Sequence, residues 1–255
     1  MCTVSIISTS HTGGYRLVTN RDEQRTRAAG EAPKWRRFGS VDALAPLDPV
    51  SGGTWVATNR EGLSLCILNG NLEPPPPAPA RGLSRGLIIP ALIGSHSLDE
   101  AMTGLSTADL SRFAPFRLVM SQSGGTDGPG VLVADAFWNG RTLEVTTDQA
   151  PPVCFVSSGL GDSRVAPRLP LFASVVTDAP RPEAQDEFHR HVWPDRPEIS
   201  VCMSRAEART VSITTIRVDP IPGSRPSIRS EHAHVPEDSR RSTSLSALAS
   251  GVRSG

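Results

Sequence analysis

Ser51-Gly52-Gly53-Thr54-Trp55-Val56-Ala57-Thr58-Asn59-Arg60-Glu61-Gly62-Leu63-Ser64-Leu65-Cys66-Ile67-Leu68-Asn69-Gly70-Asn71 reads as a β-hairpin. Thr54–Thr58 and Leu63–Leu68 have strand composition. Asn59-Arg60-Glu61-Gly62 between them has turn composition, and glycines punctuate both outer ends. Asn69 follows an apolar strand and precedes a glycine, which puts a carboxamide at a strand tip. An amide there can end the strand as an Asx turn or donate to a developing oxyanion.

Strand patterns continue on both sides of this hairpin. Thr3–Thr9 and Tyr15–Thr19 flank the turn His11-Thr12-Gly13-Gly14 and form a second hairpin. Arg21–Arg37 reads as an irregular, arginine-rich loop. Tyr15 to Ser40 holds seven basic and three acidic residues, which fits a solvated loop or a pocket for an anionic group. Downstream, a proline-rich connection covers Leu72–Arg81. Apolar spacing predicts a helix around Leu83–Ile93. Ser97 before Leu98-Asp99-Glu100 predicts a capped helix to Leu105. Strands are expected at Phe116–Ser121, Gly130–Trp138, Thr142–Thr146, Val153–Ser157 and Thr210–Val218, with helices over Arg164–Val176 and Pro182–His191. Hairpins, then helices, then hairpins define an α+β chain. The expectation is a single domain over residues 1–220 and a disordered tail over 221–255, where apolar residues are few.

Composition narrows the function. The 255 residues carry 26 basic and 26 acidic side chains, so no global field attracts nucleic acid or an anionic membrane. No run of about 18 apolar residues is present, so no stable membrane insertion is expected. The start of the chain lacks a basic and apolar leader. The four cysteines, at 2, 66, 154 and 202, make no Cys-x-x-Cys pair. A cytoplasmic protein with reduced thiols is expected, with no metal site.

Cys2 is the chemically informative residue. Removal of Met1 would place a thiol and an α-amine on one residue. The amine, with a pKa of about 7.7–8.0 against about 8.5 for the thiol, can then serve as its base. Thr19-Asn20-Arg21-Asp22-Glu23 ends the second strand. Strand alternation puts Asn20 and Asp22 on one face and Arg21 and Glu23 on the other. Asp22 could then pair with the Cys2 ammonium, while Arg21 would anchor the next loop.

Cys2, the pentapeptide Thr19–Glu23 and the pattern from Gly52 to Asn69 resemble the NRDE family, the transport and Golgi organisation 2 family, over residues 1–71. That family is in turn similar to cysteine N-terminal-nucleophile hydrolases. The resemblance implies a four-layer αββα sandwich. It gives Cys2 the place of the nucleophile, Asp22 that of the amine-holding aspartate and Asn69 that of an oxyanion donor. Ser158 falls where relatives carry a second donor, an asparagine, and Arg209 matches an arginine before the last strand. Asn20, Arg21 and Trp55 are candidate binding residues around them. The hydrolases carry an arginine where this chain has Thr19. The resemblance implies either hydrolysis of a small-molecule amide or thioester without a cofactor, or binding and trafficking of haem or an acyl metabolite on the same scaffold.

Overall fold

The computed structural model describes residues 2–79, 82–124 and 130–237, with Cys2 and Asp148 described by their backbones alone. Two antiparallel sheets stack face to face. The first has the order β10 (Val153–Val156), β1 (Cys2–Ser8), β2 (Tyr15–Gln24), β11 (Ala208–Ile221) and β12 (Ser224–His234). The second runs in order from β3 (Glu31–Phe38) through β4 (Val41–Leu47), β5 (Val56–Asn59), β6 (Leu63–Asn69), β7 (Phe116–Ser123) and β8 (Val131–Trp138) to β9 (Leu143–Gln149). Helices α1 (Ile88–Leu92) and α2 (Leu98–Thr107) cover β6 and β7. Helices α3 (Arg168–Phe172) and α4 (Pro182–Arg190) cover β10 and β2. The result is an α+β chain in four layers, αββα.

Alternation along β1 and β2 assigns the faces. Val4, Ile6, Tyr15 and Leu17 enter the core between the sheets, whereas Ile7 packs with Phe172, Val176 and Phe188 of the helical layer. Both faces of β2 are therefore covered, and every residue from Tyr15 to Asp22 is buried. The family-like motif residues hold these layers together. Gly53 is required because a Cβ there would lie 2.6 Å from the backbone of Gly86. The Asn59 carboxamide accepts from Glu61 and Leu63 N–H across the turn. It also donates to the carbonyls of Ile93 and Ser95, tying the hairpin to the end of α1. Tyr15 crosses between the sheets and donates to the Gly62 carbonyl, and burial pushes its hydroxyl up to about 12.

Three segments depart from the expectation, one of them β4, which lies where no element was expected. The loop anticipated at Arg21–Arg37 contains the end of β2 and most of β3, a strand of half-exposed residues with no clear alternation. The tail anticipated from residue 221 carries β12 over Ser224–His234. It pairs with β11 through backbone bonds that composition does not report. Residues 238–255 lie outside the described ones. Ser97 caps α2 as expected, accepting from Glu100 N–H at 3.1 Å. Among the described residues no helix is long and apolar enough to cross a membrane.

His189 is fully buried between α4 and the sheet. The Asn20 amide donates to the carbonyls of His189 and Val201, so its oxygen accepts from His189 Nδ1 at 2.6 Å. Nε2 is left to accept from the Ser5 hydroxyl at 2.7 Å. Burial, reinforced by Arg16, Arg190 and Arg168, holds the imidazole well below its usual range and therefore neutral. An unfolded histidine takes up a proton below about pH 6.5 and this one does not, so stability rises with pH there and is lost as pH falls. Urea unfolding should lose up to about 1.4 kcal/mol per pH unit below pH 6.5 relative to His189→Gln. Equal pH slopes in the two proteins would rule this network out as the cause.

Candidate active site

A cavity of about 400 Å³ opens between the sheets at the β1 start. Its walls come from the end of β2 (Arg21–Gln24), the turn before β5 (Asp48, Gly53, Thr54, Trp55), the tip of β6 (Asn69) and the segment Leu83–Gly86. Cys2 is the Cα partner of Arg21, and Thr3 that of Asn20. The first residue of β1 therefore lies beside the wall formed by Arg21. Strand position puts Cys2 on the parity of Val4 and Ile6, whose side chains face the other sheet.

Arg21 is nearly buried, with its guanidinium carbon 4.5 Å from the Trp55 ring centroid. It pairs with Glu23 at 3.3 Å and lies 3.7 Å from Asp48, which Arg27 also binds at 2.6 Å. Arg21 and Glu23 do occupy the face opposite Asn20. That face is not solvent but the interior of the sandwich, so Arg21 walls the cavity as well as anchoring the following loop. Trp55 lines the same cavity and is buried. Asn20 is displaced from the proposed binding role, because its carboxamide is consumed by His189 and Val201 on the helical side.

Asp22 is buried at the floor, and its Oδ1 accepts from Thr210 at 2.6 Å. Burial raises its carboxyl above the usual range. The positive charges of Arg168 and the chain's amino terminus, the Thr210 bond and Arg205 oppose that rise. Arg168 was not singled out in the sequence. It sits in α3, 1% exposed, and donates to Thr3 Oγ1 at 2.8 Å, to the Ser200 carbonyl at 2.7 Å and to the Ile199 carbonyl at 3.0 Å. The only available clue was an arginine inside an apolar helical pattern. Arg168, and not Arg209, is the arginine whose charge acts on Asp22. Arg209 lies outside the cavity, and its guanidinium donates to the carbonyls of Val235 (2.6 Å) and Thr210 (3.3 Å).

Asn69 reaches the cavity from the β6 tip, and its side-chain amide makes no hydrogen bond among the described residues. Its backbone carbonyl accepts from Ser157 at 2.6 Å. Ser158 is buried beside this point, where the chain continues past Val156, the partner of Thr3. Its N–H donates to Asp162 and its hydroxyl accepts from Leu160 N–H, so it lies outside the cavity lining. Asp162 ties Ser158 to Asn71. Among the other cysteines, Cys66 is fully buried. Cys154 is half-buried, and its apolar surroundings push the thiol up.

The two-sheet core between helical layers, with the chain start on a central strand, is the fold of N-terminal-nucleophile hydrolases. An N-acylethanolamine-hydrolyzing acid amidase ortholog from Caenorhabditis elegans shares it at a TM-score of 0.55 and 12% identity, over 92% of this chain and 100% of that one. Two variants of the conjugated bile acid hydrolase from Clostridium perfringens align at TM-scores of 0.47 and 0.49 with 10% and 11% identity, each over 92% of this chain and 97% of theirs. A search among curated proteins returns no match. The profile of the family described as Transport and Golgi organisation 2 matches residues 1–152, more than half of the chain, and the chain belongs to that family.

Proposed function

We propose that this protein is a cysteine N-terminal-nucleophile hydrolase that cleaves an amide or thioester acyl bond of a small molecule. The observation that carries the reading is the buried Asp22, next in β2 to Arg21, the register partner of Cys2. Few other reasons account for an acid kept at that depth. After loss of Met1, the Cys2 amine takes the thiol proton and the thiolate adds to the acyl carbonyl. The Asn69 amide, uncommitted among the described residues of the cavity wall, donates to the resulting oxyanion. Collapse expels the amine or thiol, which takes the proton back from the Cys2 ammonium. Water then releases the acyl group by the reverse sequence. Asp22 holds the ammonium, and Arg168 balances Asp22.

In the haem alternative Cys2 itself would be the iron ligand, since the described lining holds no histidine or methionine. A panel of N-acyl amides and short acyl thioesters tests the hydrolase reading. Cys2→Ala should drop turnover at least about a thousandfold, with Cys66→Ala active. Turnover that survives Cys2→Ala overturns it.

A further inference from the structure

A second, smaller pocket of about 120 Å³ adjoins the cavity and shares its wall of Arg21, Glu23, Gln24 and Arg27. Its charged lining comprises Arg21, Arg25, Arg27 and Arg209 against Glu23 and Glu237, a clear cationic excess. We propose that this pocket is an anion subsite, and that the acyl compound processed at Cys2 carries a carboxylate or phosphate held there by Arg209 and Arg25. The link to Cys2 rests on the hydrolase reading, whereas the subsite stands on its own geometry.

Arg209 carries most of the argument. Two neutral backbone carbonyls fix its guanidinium, and no carboxylate among the described residues pairs with it. A positioned but uncompensated guanidinium is suited to bidentate recognition of a carboxylate or phosphate. Arg25 is fixed in the same way by the Arg205 carbonyl and the Ser204 hydroxyl, at 3.0 and 2.8 Å. Its acidic partner, Glu237, is 65% exposed, so that pair is solvent-screened and an incoming anion can displace it. Register supplies the distance. Arg209 is the Cα partner of Glu23, two residues along β2 from Arg21, the partner of Cys2. β1 and β11 flank β2 on opposite sides, about 4.8 Å each, and two residues add about 7 Å along the strand, so the Cα atoms of Cys2 and Arg209 lie about 12 Å apart, a span that the two side chains and a short arm between a scissile carbonyl and an anionic group bridge. The small pocket takes such a group and excludes a ring system. The arginine excess of the sequence thereby acquires a function that a solvated loop does not have.

Competing alkylation of Cys2 tests the subsite. Iodoacetate and iodoacetamide differ by one negative charge, so the ratio of their rates reports the local attraction for anions. Arg209→Gln should lower that ratio about fivefold, as loss of one nearby charge does, and change the iodoacetamide rate less than twofold. Arg209→Lys should restore most of the ratio. Inorganic phosphate at millimolar concentration should slow iodoacetate but not iodoacetamide, and only with Arg209 present. An unchanged ratio in Arg209→Gln overturns the proposal. If Cys2 resists both reagents, the hydrolase reading fails instead. The subsite is then decided by whether phosphate raises the melting temperature of the native protein and not of Arg209→Gln, and no rise in either overturns it.

Discussion

Arg168→Leu is expected to lower the unfolding free energy by about 3–5 kcal/mol, because three buried acceptors lose a charged donor and Asp22 loses the positive charge beside it. The side chain is 1% exposed and spends its donors on Thr3, Ile199 and Ser200. Leucine leaves those acceptors without their donor in a dry layer and removes the charge that most opposes the rise of the Asp22 carboxyl. Asp22 would then move further above the carboxylate range and pass toward its neutral form, so Cys2 alkylation should slow as well. Arg168→Lys keeps the charge and should recover part of both. Urea unfolding followed by tryptophan fluorescence measures the first effect. A loss below about 1 kcal/mol would show that the pair is not the structural centre of the site.

Asp22→Asn should slow Cys2 alkylation at neutral pH by about ten- to a hundredfold with little change in melting temperature. A charge-assisted hydrogen bond to the Cys2 ammonium is worth roughly 1.5–3 kcal/mol, and that difference enters the rate directly. Stability responds weakly because the buried carboxylate is itself costly. Burial holds its folded pKa above the unfolded value, so ionising it opposes folding. For the same reason the native protein loses stability as pH rises from about 4 through the folded pKa of Asp22, and Asn abolishes that slope. This is opposite in sign to the His189 effect, which acts below about pH 6.5, and the two single variants separate them. A large melting-temperature loss with normal alkylation would make Asp22 a structural residue.

The hairpins were legible because their signals are local. Asn59-Arg60-Glu61-Gly62 and the flanking apolar strands specify a turn without reference to the rest of the chain. Strand β3 was hidden because its residues are half-exposed and charged, and β12 because its order comes from bonds to β11, not from apolar burial. The site was legible only in part. Strand alternation assigned Asp22 and Arg21 to opposite faces, but nothing local says that both faces of β2 are covered. Arg21 therefore walls the cavity as well as anchoring the loop after β2. Arg168 was invisible because its relation to Asp22 spans the sheet and the α3 layer, and Arg209 took its place on order along the chain alone. Asn20, two residues from Asp22, is drawn to His189 by a helix far away in sequence.

The central claim is that residue 2 is the nucleophile and bears the free amine. Intact-mass spectrometry before and after exposure to a short acyl thioester addresses it in one experiment, on protein from a host with active methionine aminopeptidase. The chain is predicted to begin at Cys2 and to gain one acyl group mapping to Cys2. Hydroxylamine should remove that group, and it should be absent in Cys2→Ala. Retention of Met1, or acylation spread over Cys66, Cys154 and Cys202 with none at Cys2, would contradict the account.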